Sequence, residues 1–205
     1  MRHWPWKELE PGGYGVIAAD PAWHFETRTE AGEGRSPQAH YDTMSLEEIC
    51  ALPVMDLARP DCVLALWCSS PFLLHGLSTL HAWGFTYAAM AGWGKQTKDG
   101  ERFKTGTGYV VGSTMEVILL GTRGRPPLPG NSASNLIAAD RPFPGDGDLL
   151  CAPRPPIHSR KPDGFHEWVE RHYRGPYCEL FARRSERPGW SFWGNQADKF
   201  NGGRG

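Results

Sequence analysis

Apolar residues fall in short unbroken runs, separated by segments where they recur every three or four positions. Tyr14–Ala19 is the first run, and it stops at Asp20-Pro21, where proline removes a backbone donor; the pattern predicts a buried strand. Asp61–Cys68 and Ser113–Gly121 have the same character, and Phe85–Lys95 and Tyr177–Ala182 complete the predicted strands. Helix signals lie between them. Ser45-Leu46-Glu47-Glu48 has the capping-box form ahead of Ile49, Leu52 and Leu57. Pro71–Trp83 reads as a helix with proline in its first turn. Lys161-Pro162-Asp163 opens a third helix, which places Phe165, Trp168, Val169 and His172 on one face.

Strands interleaved with helices predict an α/β fold in a single domain over residues 1–205, with a mostly parallel central sheet flanked by helices. Ligands of such sheets bind beyond the carboxyl ends of the strands, which directs attention to Asp20 and to the residues after Phe181. Two stretches break the pattern. Residues 26–38 are polar and glycine-rich, and residues 121–156 are rich in proline and glycine. Both are expected to be mobile loops, the second acting as a lid or target-contacting segment.

Composition narrows the class. A chain of 205 residues can bury a full core. Nine tryptophans raise the question of whether all of them serve that core. Formal charge is −1, so no global attraction to nucleic acid is available, although residues 95–161 carry ten Lys/Arg against six Asp/Glu. The five cysteines include no Cys-x-x-Cys pair, and an odd number does not complete a disulfide framework; a reduced, cytoplasmic protein without a metal site is expected. Met1–Trp6 lacks the apolar core of a signal peptide, and no segment approaches the ~18 apolar residues of a membrane span.

The candidate chemistry centres on Asp20-Pro21-Ala22-Trp23. The exocyclic amine of adenine is a poor nucleophile because its lone pair is delocalised into the ring. Acceptors for both of its N–H groups favour rehybridisation toward the transition state of methyl transfer. The Asp20 carboxylate and the Pro21 carbonyl offer two such acceptors, and Trp23 offers a stacking surface. Taken alone, the tetrapeptide is equally an Asp-Pro turn after a strand.

More than the tetrapeptide carries a resemblance. Tyr41-Asp42-Thr43-Met44-Ser45, Leu64-Ala65-Leu66-Trp67, Trp93-Gly94-Lys95, the apolar Gly112–Gly121 with its embedded Glu116, and Ser159-Arg160-Lys161-Pro162-Asp163 follow in order. Glu179-Leu180-Phe181-Ala182-Arg183, Gly189-Trp190 and Gly194-Asn195-Gln196 come after them. From about residue 14 to 197 the chain resembles the MT-A-seventy adenine-N6 methyltransferases, in prokaryotic or phage form, with the family's Asp-Pro-Pro-Trp present as Asp-Pro-Ala-Trp. A second departure is Ala182, where the family often has glycine.

The resemblance implies a Rossmann-like, S-adenosylmethionine-dependent methyltransferase fold. It implies Asp20, Pro21 and Trp23 as catalytic residues. The cofactor would be held by Asp20, Lys161, Phe181, Arg183, Asn195 and Gln196, with Lys161 on the methionine carboxylate. Tyr41, Trp67, Lys95 and Glu116 fall to the substrate side, and Lys95, Lys98, Arg102, Lys104, Arg123 and Arg125 are candidates for gripping phosphates. The implied enzyme is an adenine-specific DNA methyltransferase, alone, as a homodimer or with a partner subunit; the compact form without accessory domains favours DNA over RNA. A non-catalytic nucleic-acid-binding subunit and an amide-nitrogen methyltransferase acting on protein are the competing classes. Intact Asp20 and Lys161 argue against the first, and the order of the later elements against the second.

Overall fold

The computed structural model describes residues 4–6, 8–24, 43–97, 102–106, 108, 110–129, 150–153, 161–162, 164–183 and 186–195. Its strands are β1 (Tyr14–Ala19), β2 (Ala58–Cys68), β3 (Thr86–Gln96), β4 (Met115–Arg123), β5 (Leu150–Pro153), β6 (Tyr177–Leu180) and β7 (Trp190–Trp193). They form one sheet in the order β5-β3-β4-β2-β1-β6-β7. β4 is antiparallel to both of its neighbours, β2 and β3, and all other pairings are parallel. The expected α/β sheet is therefore present, with one reversed strand.

Among the described residues, three α-helices cover it: α1 (Leu46–Ala51), α2 (Leu73–Ala82) and α3 (Gly164–His172). Ser45 closes the predicted capping box on α1, accepting from Glu48 N at 3.2 Å while Glu48 Oε2 accepts from Ser45 N at 2.8 Å. Pro71 sits in a 3₁₀ turn, Ser70–Phe72, and α2 starts after it.

Strand alternation sorts the core into two layers. Ile17, Ala19, Leu64 and Leu66 face one side, with Ile49 and Leu80 from α1 and α2. Val16, Ala18, Val63, Ala65 and Trp67 face the other, with Phe165, Trp168 and Val169 from α3. A strand buried on both faces has to be apolar throughout, which accounts for the unbroken runs. Each fully buried Leu, Ile or Val contributes roughly 1.5–3 kcal/mol. All nine tryptophans belong to these layers: seven are buried, and Trp4 and Trp193 pack against them partly exposed.

Two strands lie where none is predicted. Residues 121–156 were expected to form a loop, yet they contain the end of β4 and all of β5, which pairs with the end of β3 through Trp93↔Leu150 to Gln96↔Pro153. β7 is a four-residue aromatic strand. The proposed loop over 26–38 lies outside the described residues. No described helix is long and apolar enough to cross a membrane.

Candidate active site

Strand direction gathers the charged residues. β1 delivers Asp20 at its carboxyl end, and β3 delivers Lys95 near its own. β4 runs backwards, so Glu116, near its start, arrives at the same end of the sheet. Lys161, just ahead of α3, completes the group.

These four form a ladder of alternating charge. Lys161 Nζ lies 3.0 Å from Asp20 Oδ2 and 3.0 Å from Glu116 Oε2, and Lys95 Nζ lies 2.9 Å from Glu116 Oε1. The ladder rests on aromatic faces, Lys161 Nζ being 4.9 Å from the Trp67 ring centroid and Lys95 Nζ 5.9 Å from that of Trp93. Among the described residues, Asp20 Oδ1 takes no hydrogen bond and the third N–H of Lys161 meets no oxygen. The ladder thus has two open valences, one on each residue nearest the motif.

The two carboxyl groups titrate in opposite directions. Burial, reinforced by Glu116, raises Asp20 above the ordinary carboxylate range despite the Lys161 ammonium beside it. Burial would raise Glu116 too, but the ammonium groups of Lys161 and Lys95 outweigh it and hold Glu116 down to about 2. For Lys161, burial opposes the charge, while Asp20 and Glu116 more than restore it and move its pKa upward. A proton entering the ladder therefore goes to Asp20.

The motif turn is held by backbone bonds. Asp20 N donates to Leu180 O on β6 at 3.4 Å, and Trp23 N donates to Pro21 O at 2.9 Å. One lone pair of the Pro21 carbonyl is thereby taken and one remains. Ala22 O accepts from Met44 N at 2.9 Å and His24 N donates to Met44 O at 3.2 Å, so Thr43-Met44 braces the turn. Ala22 serves through its carbonyl, a group that proline in the same position would retain.

On the other flank, Phe181 follows β6 with φ 61°, in the left-handed region. Beyond β7, Gly194 lies against this bend: a Cβ there would stand 2.7 Å from Ala182 N and 3.0 Å from the Phe181 carbonyl carbon. Ala182 N donates to Trp193 O at 2.9 Å, fixing the end of β7 beside the end of β6. Asn195 is exposed just past this contact, and Arg183 is close enough to act on Asp20 electrostatically. Lys161, Phe181, Arg183 and Asn195 thus share one end of the sheet with Asp20. Tyr41 and Gln196 lie outside the described residues.

Three expectations look different in three dimensions. Trp23 is no open platform: it is 8% exposed, stacked on Phe72 at 5.8 Å and 17°, and its Nε1 has no partner. Trp67 is 2% exposed between Trp93 and Phe165, so it supports Lys161 from behind instead of facing a base. Arg123 and Arg125 do not join Lys95. The seven steps of β4 from Glu116 to Arg123 span roughly 23 Å, which carries both arginines to the far end of the sheet. There Arg123 Nη1 donates to Met55 O at 2.8 Å and Arg125 N to Asp61 Oδ1 at 2.7 Å.

The structure also reveals partners without a spacing signal. Phe72, in the turn after β2, covers one face of Trp23. Glu179, part of the Glu-Leu-Phe-x-Arg element, accepts from the buried His166 Nε2 at 2.7 Å and so ties β6 to α3.

A carboxylate, an ammonium and a carbonyl thus meet at the strand ends of a Rossmann-like α/β sheet, where ligands of such sheets bind. Comparison with known proteins gives the family. Residues 14–196 match MT-A70. The chain is 28% identical over 188 residues to an N(6)-adenosine-methyltransferase MT-A70-like protein of Arabidopsis thaliana, covering 90% of this chain and 24% of that one. It is 28% identical over 202 residues to the N(6)-adenine-specific methyltransferase METTL4 of Homo sapiens, covering 91% and 38%. With the Type II methyltransferase M.MunI of a Mycoplasma it shares 28% over 198 residues, covering 88% and 76%. The chain therefore spans about a quarter to two fifths of the plant and human proteins and three quarters of the mycoplasmal one. It belongs to the MT-A70 family and has that family's S-adenosylmethionine-dependent methyltransferase fold.

Proposed function

We propose that the chain transfers a methyl group from S-adenosylmethionine to the exocyclic N6 amine of adenine in DNA. The observation that carries the reading is the ladder at the strand ends: Asp20, 3.0 Å from Lys161, has an oxygen that no described residue engages, and the Pro21 carbonyl of the same turn takes one described hydrogen bond, from Trp23 N. The residues fit the cofactor. Among the described residues Lys161 has an N–H left for the methionine carboxylate, Asn195 offers an amide to ribose or adenine, and Phe181 with Gly194 forms a bend too tight for another Cβ.

When bound, the cofactor supplies a sulfonium-activated methyl group. Asp20 Oδ1 and Pro21 O accept the two N–H groups of the amine and turn its lone pair out of the ring plane. Asp20, the group in the ladder that takes a proton most readily, receives the proton that the methylated amine releases. Glu116 stays ionised and keeps Lys161 charged. Trp23, buried and stacked on Phe72, holds the motif turn from behind. Since chemistry on a base requires it to leave its stack, an extruded or single-stranded adenine is the substrate form.

The DNA assignment draws on the likeness to the Type II methyltransferase M.MunI, 76% of whose length is covered. The test supplies labelled cofactor with matched single-stranded DNA, duplex DNA and RNA, followed by mapping of the methylated position. Label at adenine N6 in DNA is expected. Label confined to RNA would replace the substrate, and cofactor binding without transfer to any of the three would leave a non-catalytic subunit.

A further inference from the structure

β3 and β4 continue past the sheet as a nested hairpin. Lys104 N donates to Lys95 O at 2.7 Å, Thr97 N donates to Arg102 O at 2.9 Å, and Phe103 bridges to Gln96. Further out, Gly106 and Ser113 exchange both backbone bonds, at 2.8 and 3.1 Å, and the hydroxyls of Thr105 and Thr114 lie 3.0 Å apart. The hairpin is built tightly: a Cβ on Gly112 would collide with the Thr105 methyl. Its base is the ladder itself, since Lys95 begins it and Glu116 follows two residues after Thr114.

The side chains it carries are out of place for a finished surface. Phe103 is 48% exposed, Val110 95% and Val111 78%. Arg102 and Lys104, both exposed, flank Phe103. The hairpin is rooted at Lys95 and Glu116, two rungs of the ladder that runs through Lys161 to Asp20. When an adenine leaves its stack, the neighbouring base is left with an uncovered face, and an exposed phenyl ring between two cations matches that face and the phosphates beside it.

We propose that this hairpin is a nucleic-acid finger in which Phe103 stacks on a base adjacent to the target adenine while Arg102 and Lys104 grip the flanking phosphates. The inference rests on the nucleic-acid reading of the site and adds a contact which that reading does not require.

The test compares two single strands of the substrate type, each with one target adenine. One is ordinary, and in the other the nucleotides flanking the adenine lack bases. Phe103→Ala should raise KM on the ordinary strand roughly 10- to 100-fold with kcat unchanged, leave the abasic-flanked strand unaffected, and be rescued by Phe103→Trp. Arg102→Gln with Lys104→Gln should flatten the salt dependence of strand binding by about 1.4 in log–log slope. The proposal fails if Phe103→Ala changes both strands alike or neither. It also fails if Val110→Ser with Val111→Ser changes the particle mass in light scattering, which would make the hairpin a subunit contact. Should the wild-type chain methylate neither strand, the reading of the site has failed. The finger is then decided separately by fluorescence anisotropy, since Phe103→Ala must still weaken binding to the ordinary strand alone.

Discussion

Glu116 and Glu170 are both partly buried carboxylates, each held by the side chains of two residues, but their surroundings differ in one respect. Glu170 accepts from Arg187 Nε and Nη2, both at 2.6 Å, and from Trp190 Nε1 at 2.7 Å. Its two oxygens are occupied and its partners lead back to the sheet edge, so the cluster ties α3 to β7. Glu116 also has both oxygens occupied, by Lys95 and Lys161, but Lys161 passes the connection on to Asp20, where, among the described residues, one oxygen and one N–H are left over. The residue types are similar. What separates the two clusters, among the described residues, is leftover hydrogen-bonding capacity on charged groups at the strand ends, where ligands of such sheets bind.

That contrast can be broken most sharply at Asp20. Asp20→Ala should lower methyl transfer by about 10⁴-fold while a calorimetric titration still detects the cofactor; near-normal turnover would remove Asp20 from the chemistry. Lys161→Met comes next. It removes the cation that Asp20 and Glu116 share and leaves Lys95 to Glu116 alone, so urea denaturation should show a loss of about 3 kcal/mol, together with loss of cofactor binding.

A pH measurement sharpens the comparison further. Glu116 is held at about 2 against an ordinary 4.5, so the stability it adds is fully present above about 4.5 and is lost as pH falls from there toward 2. Glu116→Gln should therefore flatten the acid limb of the stability profile in that window. The same substitution removes the like charge that helps to raise Asp20, so the acid limb of kcat/KM should move to lower pH. The smallest effect belongs to the closed cluster. Glu170→Gln should cost about 1 kcal/mol in thermal denaturation and leave kcat and KM where they were.

Much of the fold was legible because strands buried on both faces leave continuous apolar runs, as Tyr14–Ala19 and Asp61–Cys68 do. β5 and β7 were not: each has four residues, and β5 ends in proline within a stretch that otherwise reads as loop. The direction of β4 was equally hidden, because a buried strand has the same composition whichever way it runs. That one unknown decided the fate of the basic residues, sending Arg123 and Arg125 away while bringing Glu116 in. Within the site, the motif order pointed to Asp20 and Lys161, and an acidic residue in an apolar run demanded a partner for Glu116. The stacking of Trp23 on Phe72 and the burial of Trp67 have no signature in spacing; they follow from tertiary packing alone.

The reversal of β4 also bears on how such an enzyme can diversify. A parallel neighbour of β3 would have to be reached by a crossover packed on the sheet, and lengthening that crossover would disturb the core. An antiparallel neighbour needs only a turn, and here the turn opens at the rim of the site. Residues can be added to or exchanged in that turn without changing a strand, a helix or any rung of the ladder. It is therefore the place where the rim of the site can change while the charged ladder is inherited unchanged.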